Sequence, residues 1–189
     1  MIHPGTELRF VNAAIGAGIH ASRPIPQGTL TWVLDPLDRM LTPAAVAALP
    51  PAYHPLVEKY SFRDAAGVFI LCWDHARYVN HSCDPNCAGT RYGFDIAVRD
   101  IAPGEQLTND YATLNLLPHE SFACNCGAAT CRGWVEPESP GAARNAAREA
   151  SLATALGKLG MVPQPLWDLA PRAAIARACA ECQGVPGEK

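Results

Sequence analysis

The alternation of apolar and polar residues along the chain predicts a series of short β-strands in its first half. Residues 7–11 and 94–98 alternate in the way expected of half-buried strands. Residues 29–34 are rich in β-branched and aromatic side chains, which also favour a strand. Residues 59–62 and 68–73 are interpreted as a hairpin, and its second strand is the most apolar run in the sequence.

Helix signals are fewer and gather near the end of the chain. Residues 42–49 predict a short helix with Thr42 as its N-cap. Beyond residue 142 the leucines are spaced for one helix face, and Gly160 marks the expected end of that helix. Residues 171–182 predict a second helix in this region.

Composition limits the fold and the partners. At 189 residues the chain is expected to form one domain, and its 17 prolines and 15 glycines indicate many turns rather than a helical bundle. With a net charge of −3, the chain lacks the positive electrostatic potential that broad nucleic-acid or membrane-surface binding requires. The same charge is compatible with a basic peptide substrate. No apolar run reaches the length of a membrane span, and the start lacks a secretory signal pattern. We therefore expect a cytoplasmic protein.

The polar segment at residues 80–86 follows six residues after the most apolar run of the chain, residues 68–73. It contains the amide of Asn80, the imidazole of His81 and the thiol of Cys83, and it ends in a turn that contains proline. An apolar strand that leads into such a turn presents side chains and backbone from a rigid support. We therefore expect this segment to be the centre of the functional site.

Three further thiols lie close together downstream, at Cys124, Cys126 and Cys131. Thiolates at short spacings in a glycine-rich segment are typical ligands of zinc, which takes four ligands in a tetrahedron. Cys83 is the natural candidate for the fourth ligand. Buried, inert thiols are the alternative interpretation. With eight cysteines and an expected reducing compartment, metal binding or catalysis is favoured over disulfides.

Four motifs together resemble those of the SET-domain protein lysine methyltransferases. Residues 80–86, Asn-His-Ser-Cys-Asp-Pro-Asn, look like the NHSCxPN motif, and residues 104–111 resemble the GEELxxDY motif. Residues 16–28 are similar to the opening GxG and IPxG segment of this family, and residues 124–133 to its post-SET segment, CxCGxxxCxG. The motifs occur in the right order and cover residues 7–134, so the joint match is highly specific.

The resemblance implies a mainly β, β-rich α+β fold made of short sheets. In this SET fold the Asn-His segment is threaded beneath the later Tyr segment as a pseudoknot, which is rare among proteins. Three parts are expected: a SET domain at residues 5–113, a zinc-binding post-SET segment at residues 120–136 and a C-terminal helical extension at residues 140–189. The helices could cap the zinc segment, form a homodimer interface or bind a partner.

The resemblance also implies an activity and the residues that carry it. S-adenosylmethionine would be the methyl donor, and a lysine side chain of a protein or peptide in a narrow channel would be the acceptor. Tyr111 is implied as the active-site tyrosine beside the transferred methyl group. The implied cofactor contacts are Ile15, Gly16, Ala17, Tyr60, Arg77, Asn80 and His81. The implied ligands of a structural zinc ion are Cys83, Cys124, Cys126 and Cys131.

The sequence departs from the family pattern near the expected lysine channel. Asn109 occupies a place where the family usually has Phe or Tyr, and Leu34 occupies the place of a further aromatic residue. The number of methyl groups added therefore stays open. Trp32, Tyr78 and Trp134 are candidates to replace the missing aromatic side chains.

Two other functions stay open on the sequence. A SET-like, zinc-stabilised module could bind a peptide or a partner without transferring a methyl group, which the departures at Asn109 and Leu34 favour. A redox protein could use Cys179 and Cys182, which form a separate Cys-x-x-Cys pair. The substrate is equally open and includes a histone tail, a bacterial nucleoid protein and a ribosomal protein.

Overall fold

The computed structural model describes residues 1–137 and 143–182, and most of its regular structure is short β-strands. The strands are β1 (Thr6–Asn12), β2 (Gly16–Ala21), β3 (Leu30–Val33), β4 (Arg39–Leu41), β5 (Ser61–Arg63), β6 (Phe69–Leu71), β7 (Asn80–His81), β8 (Cys87–Gly89), β9 (Phe94–Ala97), β10 (Thr108–Asn109), β11 (Phe122–Ala123) and β12 (Trp134–Val135).

The helices are also short, apart from two near the end of the chain. They are α1 (Pro43–Ala47), α2 (His54–Tyr60), α3 (Ala143–Gly157) and α4 (Arg172–Cys182), with 3-10 turns at Pro51–Tyr53, His75–Tyr78, Tyr111–Thr113 and Pro118–Glu120. The side-chain oxygen of Thr42 accepts a hydrogen bond from the Ala45 N–H at 3.1 Å, which confirms the predicted N-cap of α1. None of the helices built from described residues is long and apolar enough to cross a membrane.

The strands form several small sheets. β1 pairs with β2, and β11 pairs with β12, both in antiparallel hairpins. The strand orders β3–β9–β8 and β4–β6–β5 form two antiparallel three-stranded sheets. β7 and β10 pair in parallel. This arrangement confirms the predicted β-rich fold of short sheets.

One core cluster lies between the β3–β9 pair and the C-terminal helices. Leu30 and Phe94 from the strands are fully buried together with Leu159 and Leu166 from the C-terminal region. The side chain of Gln164 strengthens this contact, because its Oε1 accepts a hydrogen bond from the Leu30 N–H at 2.8 Å. The C-terminal helices therefore complete the core of the strand region, a role that the sequence alone did not suggest.

A second cluster lies beneath β2 and the segment that leads into β10. It contains Ile19, Ile25, Ile101 and Leu107, each of which is almost completely buried. The Leu107 N–H donates to the Ile19 carbonyl at 2.7 Å, so backbone pairing and side-chain packing act on the same contact. This cluster fixes the glycine-containing start of β2 against the later chain.

The parallel pairing of β7 and β10 lies at the centre of the molecule. Asn80 is opposite Thr108 and His81 is opposite Asn109. The next N–H, that of Ser82, donates to the Asn109 carbonyl at 2.9 Å. The polar segment is therefore held by a strand from much later in the chain, as the pseudoknot implied by the resemblance requires.

Asn86 connects the end of the polar segment to the same later strand. Its side-chain amide donates to the Gln106 carbonyl at 2.8 Å, and its side-chain oxygen accepts from the Thr108 N–H at 2.9 Å. A third bond joins the amide to the Glu105 carboxylate at 3.0 Å. Since Asn86 is only 1% exposed, these bonds have no competition from water.

Three local features differ from the sequence prediction. β1 is mostly exposed rather than half-buried, with Phe10 75% accessible. Helix α2 precedes the predicted hairpin strand, so Tyr60 ends a helix rather than lying in a strand. Helix α3 ends at Gly157 rather than Gly160, because the following N–H groups, starting with that of Lys158, bond three residues back in tighter turns.

We predict that Asn86→Ala lowers the free energy of unfolding by about 3 kcal/mol, because it leaves buried backbone groups of residues 106 and 108 without partners. Denaturant unfolding of the zinc-loaded protein measures this change. Asn125→Ala is the control, since Asn125 is exposed and should lose less than about 0.5 kcal/mol. Equal stability of the two variants would contradict a pinning role for Asn86.

Candidate active site and metal centre

Four thiols meet where the chain after β11 returns to the polar segment. The Sγ atoms of Cys83, Cys124, Cys126 and Cys131 all lie within 4.8 Å of one another, and those of Cys83 and Cys124 are 3.7 Å apart. Tetrahedral zinc with Zn–S bonds of about 2.3 Å requires sulfur–sulfur distances of about 3.8 Å. The four predicted residues are thus brought together in a set whose size and chemistry fit zinc.

Glycine turns fold the short metal-binding segment back on itself. Gly127 and Gly133 have φ angles of +70° and +72°, which residues with side chains rarely adopt. The Cys124 N–H donates to the Gly133 carbonyl at 2.9 Å, and the Cys131 N–H donates to the Ala128 carbonyl at 2.9 Å. Thiols at the two ends of the segment can therefore share one ion.

Arg132 supports the thiol of Cys83. Its backbone N–H and its Nε–H donate to Cys83 Sγ at 3.4 and 3.3 Å, and its Nη2 donates to the Asp110 carboxylate. Burial lowers the pKa of Arg132, but its bonds to Asp110 and Cys83 outweigh burial and raise that pKa above its usual value. Such outer contacts orient metal ligands and stabilise thiolates. They also connect the metal site to the residue before Tyr111.

The charge on the cluster is suited to a cation. Burial raises the pKa of Cys124 to about 12. Burial acts in the same direction on Cys126, but the backbone N–H groups of Cys83 and Ala128, together with the neighbouring thiols, lower its pKa to about 6. Thiolate is therefore present at neutral pH, and thiolate is the form that binds metal.

His81 connects the metal site to Tyr111. Its Nδ1 accepts a hydrogen bond from the Tyr111 N–H at 3.1 Å, so Nε2 carries the proton and donates to Cys83 Sγ at 3.4 Å. Burial lowers the pKa of His81, and the charge of Arg132 acts in the same direction against that of Asp110. The imidazole is therefore neutral, and both its nitrogens are used within the protein.

The hydroxyl of Tyr111 has a fixed orientation. It donates to the Val79 carbonyl at 2.6 Å, and the ring contacts those of His81 and Phe122, with centroids 5.6 and 6.1 Å away. Burial raises the pKa of Tyr111 to about 12, so the phenol stays protonated at neutral pH. The oxygen lone pairs are therefore the part of the hydroxyl that can interact with another molecule.

An inner cavity of about 510 Å³ opens beside Tyr111. This volume lies within the usual range for small-molecule sites. Its walls include Trp32, Tyr60, Arg77, Asn109, Tyr111 and Phe122. Aromatic and polar groups from the SET-like region and from the metal-binding segment thus meet in one space.

An outer cavity of about 1060 Å³ adjoins the inner one and reaches helix α3. The residues that line both cavities are Trp32, Phe62, Arg63, Asp95, Asn109 and Leu114. Of the three aromatic residues considered as channel substitutes, Trp32 lines both cavities, whereas Tyr78 and Trp134 line neither. Leu34 lies on the wall of the outer cavity.

The glycine strip, residues 15–18, is tightly held at the start of β2. The Asn80 amide donates to the Ala17 carbonyl at 3.0 Å. A Cβ atom at Gly18 would lie 2.4 Å from the Gln106 amide nitrogen and 2.9 Å from that of Asn80, so a side chain there would displace both amides. The Gln106 nitrogen is buried without a hydrogen-bond partner among the described residues. Residues 15–17 are half-buried, so part of the backbone of the strip can contact a polar ligand.

The predicted cofactor contacts fall into two groups. Tyr60 and Arg77 line the inner cavity, and the Arg77 guanidinium is fixed by the carbonyls of Trp73 and Asp74 at 2.6 and 3.1 Å. The other five lie on the glycine strip and β7, outside the walls of both cavities: Ile15, Gly16, Ala17, Asn80 and His81. Asn80 joins the strip to β7, and His81 joins β7 to Tyr111.

A salt bridge that sequence reasoning missed lies in the wall of the inner cavity. The guanidinium of Arg63 in β5 binds the Glu120 carboxylate through two bonds of 2.6 and 2.7 Å. This partner holds the pKa of Glu120 below its usual value and supports the segment that leads to the metal ligands. The two residues are 57 positions apart, and no local motif marks either of them.

The remaining cysteines have no shared site in the part of the chain that the structure describes. Cys72 is buried in the core, as predicted, and Cys179 packs against the first core cluster. The side chain of Cys182 lies outside the described residues, so the alternative of a redox site at Cys179 and Cys182 is not tested. All seven cysteines with described side chains are free thiols.

We predict that Cys131→Ser removes most of the bound zinc and loosens residues 120–135, because three ligands cannot complete the tetrahedron. Metal analysis should give one zinc per chain for the parent protein and for Cys179→Ser, the matched control. Hydrogen exchange should increase only in Cys131→Ser. A fully loaded and equally protected Cys131→Ser protein would contradict the assigned metal site.

The chain is similar to several proteins whose names all describe histone-lysine N-methyltransferases. The chain is 30% identical over 149 residues to "Histone-lysine N-methyltransferase ash1" of Drosophila melanogaster, covering 73% of this chain and 7% of that protein. It is 43% identical over 74 residues to "Histone-lysine N-methyltransferase Set2" of the same organism, covering 34% and 3%. It is 30% identical over 152 residues to "Histone-lysine N-methyltransferase, H3 lysine-9 specific" of Schizosaccharomyces pombe, covering 64% and 31%.

These relatives are much longer, and the chain spans less than a third of each of them. The family model described as "SET domain" matches residues 16–112, just over half of the chain. The matched region begins at the glycine strip, contains the polar segment and ends directly after Tyr111. The chain therefore belongs to the SET-domain family.

Proposed function

We propose that the chain is an S-adenosylmethionine-dependent protein-lysine N-methyltransferase. The position of Tyr111 carries this proposal, because its fixed hydroxyl lies in the wall of an inner cavity that adjoins an outer one. Such an arrangement lets a donor and a protein side chain approach one another from different sides. The printed names of the relatives, histone-lysine N-methyltransferases, support the same reaction class.

The donor site is assigned to the glycine strip, β7 and the inner cavity. S-adenosylmethionine, when bound, supplies a methyl group on a positively charged sulfur. We propose that Ile15, Gly16 and Ala17 bind it through backbone groups and that Asn80 and the backbone of His81 hold its polar parts. Tyr60 and Arg77, which line the inner cavity, would complete the site.

The acceptor lysine has to reach Tyr111 without its proton. The pKa of a free lysine is about 10.4, and an apolar environment lowers it by disfavouring the ammonium. Trp32 and Phe62, which contact each other edge to face with centroids 5.6 Å apart, provide apolar surface at the boundary of the two cavities. Alignment of the amine with the methyl group at roughly 3 Å then provides most of the rate advantage.

Tyr111 acts through its oxygen lone pairs rather than as a base. Its hydroxyl donates a hydrogen bond to the Val79 carbonyl, and its pKa of about 12 keeps the phenol neutral at physiological pH. The lone pairs can accept a hydrogen bond from the amine and face the partial positive charge on the transferred methyl group. Because Val79 and His81 fix the residue from two sides, this orientation is preorganised.

We assign the zinc ion a structural role. Phe122 lines the inner cavity and lies two positions before the first ligand of the post-SET segment, Cys124. The ion would hold this segment in place from one side, while the pair between Arg63 and Glu120 holds it from the other. Formation of the cavity is thus expected to depend on the metal.

The substrate is proposed to be a protein or peptide with an accessible lysine. The outer cavity is open enough for a peptide, and the net charge of −3 favours basic peptides over nucleic acid. The insert between β3 and β5 contributes Val46 and Glu58 to the inner cavity and Met40 to the outer one, which supports a role in shaping the groove. We propose a cytoplasmic location, which the free thiols support.

We propose three parts for the chain: the SET domain at residues 5–113, the zinc-binding segment at 120–136 and the helical extension at 140–189. The apolar side chains Met161, Trp167 and Leu169 are exposed near the helices. Their exposure supports a homodimer formed through this extension.

We predict that Tyr111→Phe lowers methyl transfer by about a hundredfold or more and leaves the dissociation constant of S-adenosylmethionine within about threefold. The measurement uses methyl-labelled donor and a lysine-containing peptide library, with mass spectrometry to locate the modified nitrogen. Tyr53→Phe is the control because Tyr53 is exposed and lines neither cavity.

Unchanged turnover of the Tyr111→Phe protein would remove this residue from the mechanism. If the parent protein bound library peptides but methylated none of them, the enzyme assignment would fail, and a non-catalytic peptide-binding module would replace it.

A further inference from the structure

Asp95 is a carboxylate in the sheet wall that borders both cavities. It lies in the middle of β9, opposite Trp32 of β3 and opposite Gly89 of β8. Its side chain is half-buried, and it lines the inner and the outer cavity. Because Gly89 has no side chain, the carboxylate is not covered from that side.

Asn109 holds this carboxylate in place. Its Nδ2 donates to Asp95 Oδ2 at 2.7 Å, and Asn109 is itself 5% exposed and lines both cavities. A neutral amide can fix the carboxylate but cannot compensate its charge. No salt bridge among residues 1–137 and 143–182 involves Asp95. The negative charge is therefore available to a ligand in the cavities.

Aromatic rings flank the same position. Trp32 is 7% exposed, and its indole N–H has no hydrogen-bond partner among the described groups. Its ring meets that of Phe62 edge to face, and both residues line the two cavities. A carboxylate beside aromatic rings in a concave site is a combination that binds alkylammonium ions.

We propose that Asp95, held by Asn109 and flanked by Trp32, binds the alkylammonium group of the substrate lysine at the boundary of the two cavities. This inference rests on the proposed function and adds to it a residue that selects the cation. Asp95 lines both cavities whereas Tyr111 lines only the inner one, so a lysine that enters through the outer cavity meets Asp95 first. A neutral side chain of equal length is disfavoured at this position, because its entry would remove water from the Asp95 carboxylate without providing a positive partner.

The environment of Asp95 supports this role. Burial raises its pKa to about 6, against the opposing effects of Asn109 and of the amino-terminal ammonium group of Met1. The carboxylate is thus charged at neutral pH and can pair with the ammonium form of the lysine. Because an opposite charge stabilises the ammonium, the lysine has to leave Asp95 and release its proton to water before its lone pair attacks the methyl group.

Other titratable groups face this position from the surrounding elements. Burial raises the pKa values of the thiols of Cys72 and Cys87, so both stay neutral. The other titratable groups on the walls of the two cavities are Glu58, Lys59, Tyr60, Arg63, Asp64, Arg77, Arg91, Tyr92, Asp110, Tyr111, His119, Glu120, Arg148 and Glu149. Arg63 and Asp110 are paired with Glu120 and Arg132, and the Asp95→Asn variant described below distinguishes the titration of Asp95 from that of the other groups.

The test is an NMR titration of the zinc-loaded full chain with n-butylammonium, which matches the end of a lysine side chain. The reporter is the indole N–H signal of Trp32, assigned by comparison with Trp32→Phe. Binding at pH 7.5 should be at least about tenfold tighter than that of 1-butanol, the neutral probe of similar length. Affinity should fall about tenfold at pH 5, because a carboxyl with a pKa of about 6 is mostly protonated there while the amine stays charged.

Asp95→Asn keeps the shape of the side chain and should weaken butylammonium binding at least about tenfold and abolish its pH dependence. Asp168→Asn is the control, since Asp168 is exposed and lines neither cavity. It should change neither the affinity for butylammonium nor the pH dependence of that affinity. Equal binding of the two probes, or a pH-independent affinity in the parent protein, would overturn the proposal. Unchanged affinity of Asp95→Asn would do the same.

This experiment separates the inference from the proposed function. Butylammonium binding needs neither the methyl donor nor the protein substrate. If the parent protein methylates peptides but shows no preference for the ammonium probe, the role of Asp95 fails and the enzyme assignment survives. If it binds the probe as described but transfers no methyl group, the amine site stands and the methyltransferase assignment fails.

Discussion

The parallel contact between β7 and β10 is the constraint on which the rest of the site depends. Two residues of each strand pair, and Asn86 extends the contact by bonding to the backbone of residues 106 and 108. This contact fixes Asn80 against the glycine strip and His81 against the Tyr111 N–H. A short segment with few apolar side chains could not hold these positions by its own packing. The buried hydrogen bonds therefore replace a hydrophobic core at this point.

The metal site and the inner cavity depend on each other through two short connections. His81 joins Cys83 to Tyr111, and Arg132 joins Cys83 to Asp110. Metal binding is thus transmitted to the wall of the cavity through bonds to one thiol. A zinc ion held by the four thiols would thus support the proposed active site without taking part in its chemistry. Loss of the metal would therefore affect both stability and the position of Tyr111.

The motifs that make up the proposed site could be recognised in the sequence because they are local. The glycine strip, residues 80–86 and the short cysteine spacings each encode their own turn geometry, and the structure places them together. The role of Asp95 could not be predicted, because it depends on the register that sets Trp32 opposite it and on a bond to Asn109. The spacing of leucines identified the buried face of α3, but not that this face packs on β3 and β9. Such contacts are set by long-range packing, which local patterns do not contain.

The proposed donor site depends on two parts of the chain, the polar segment at residues 80–86, which pairs with β10, and the glycine strip. Calorimetric titration of S-adenosylmethionine into the zinc-loaded protein tests it most directly, with Asn80→Ala as the comparison. The account predicts saturable one-site binding by the parent protein and its loss in Asn80→Ala, because the Ala17 carbonyl and the strip would no longer be held. No binding by the parent protein, or equal binding by a folded Asn80→Ala variant, would contradict it.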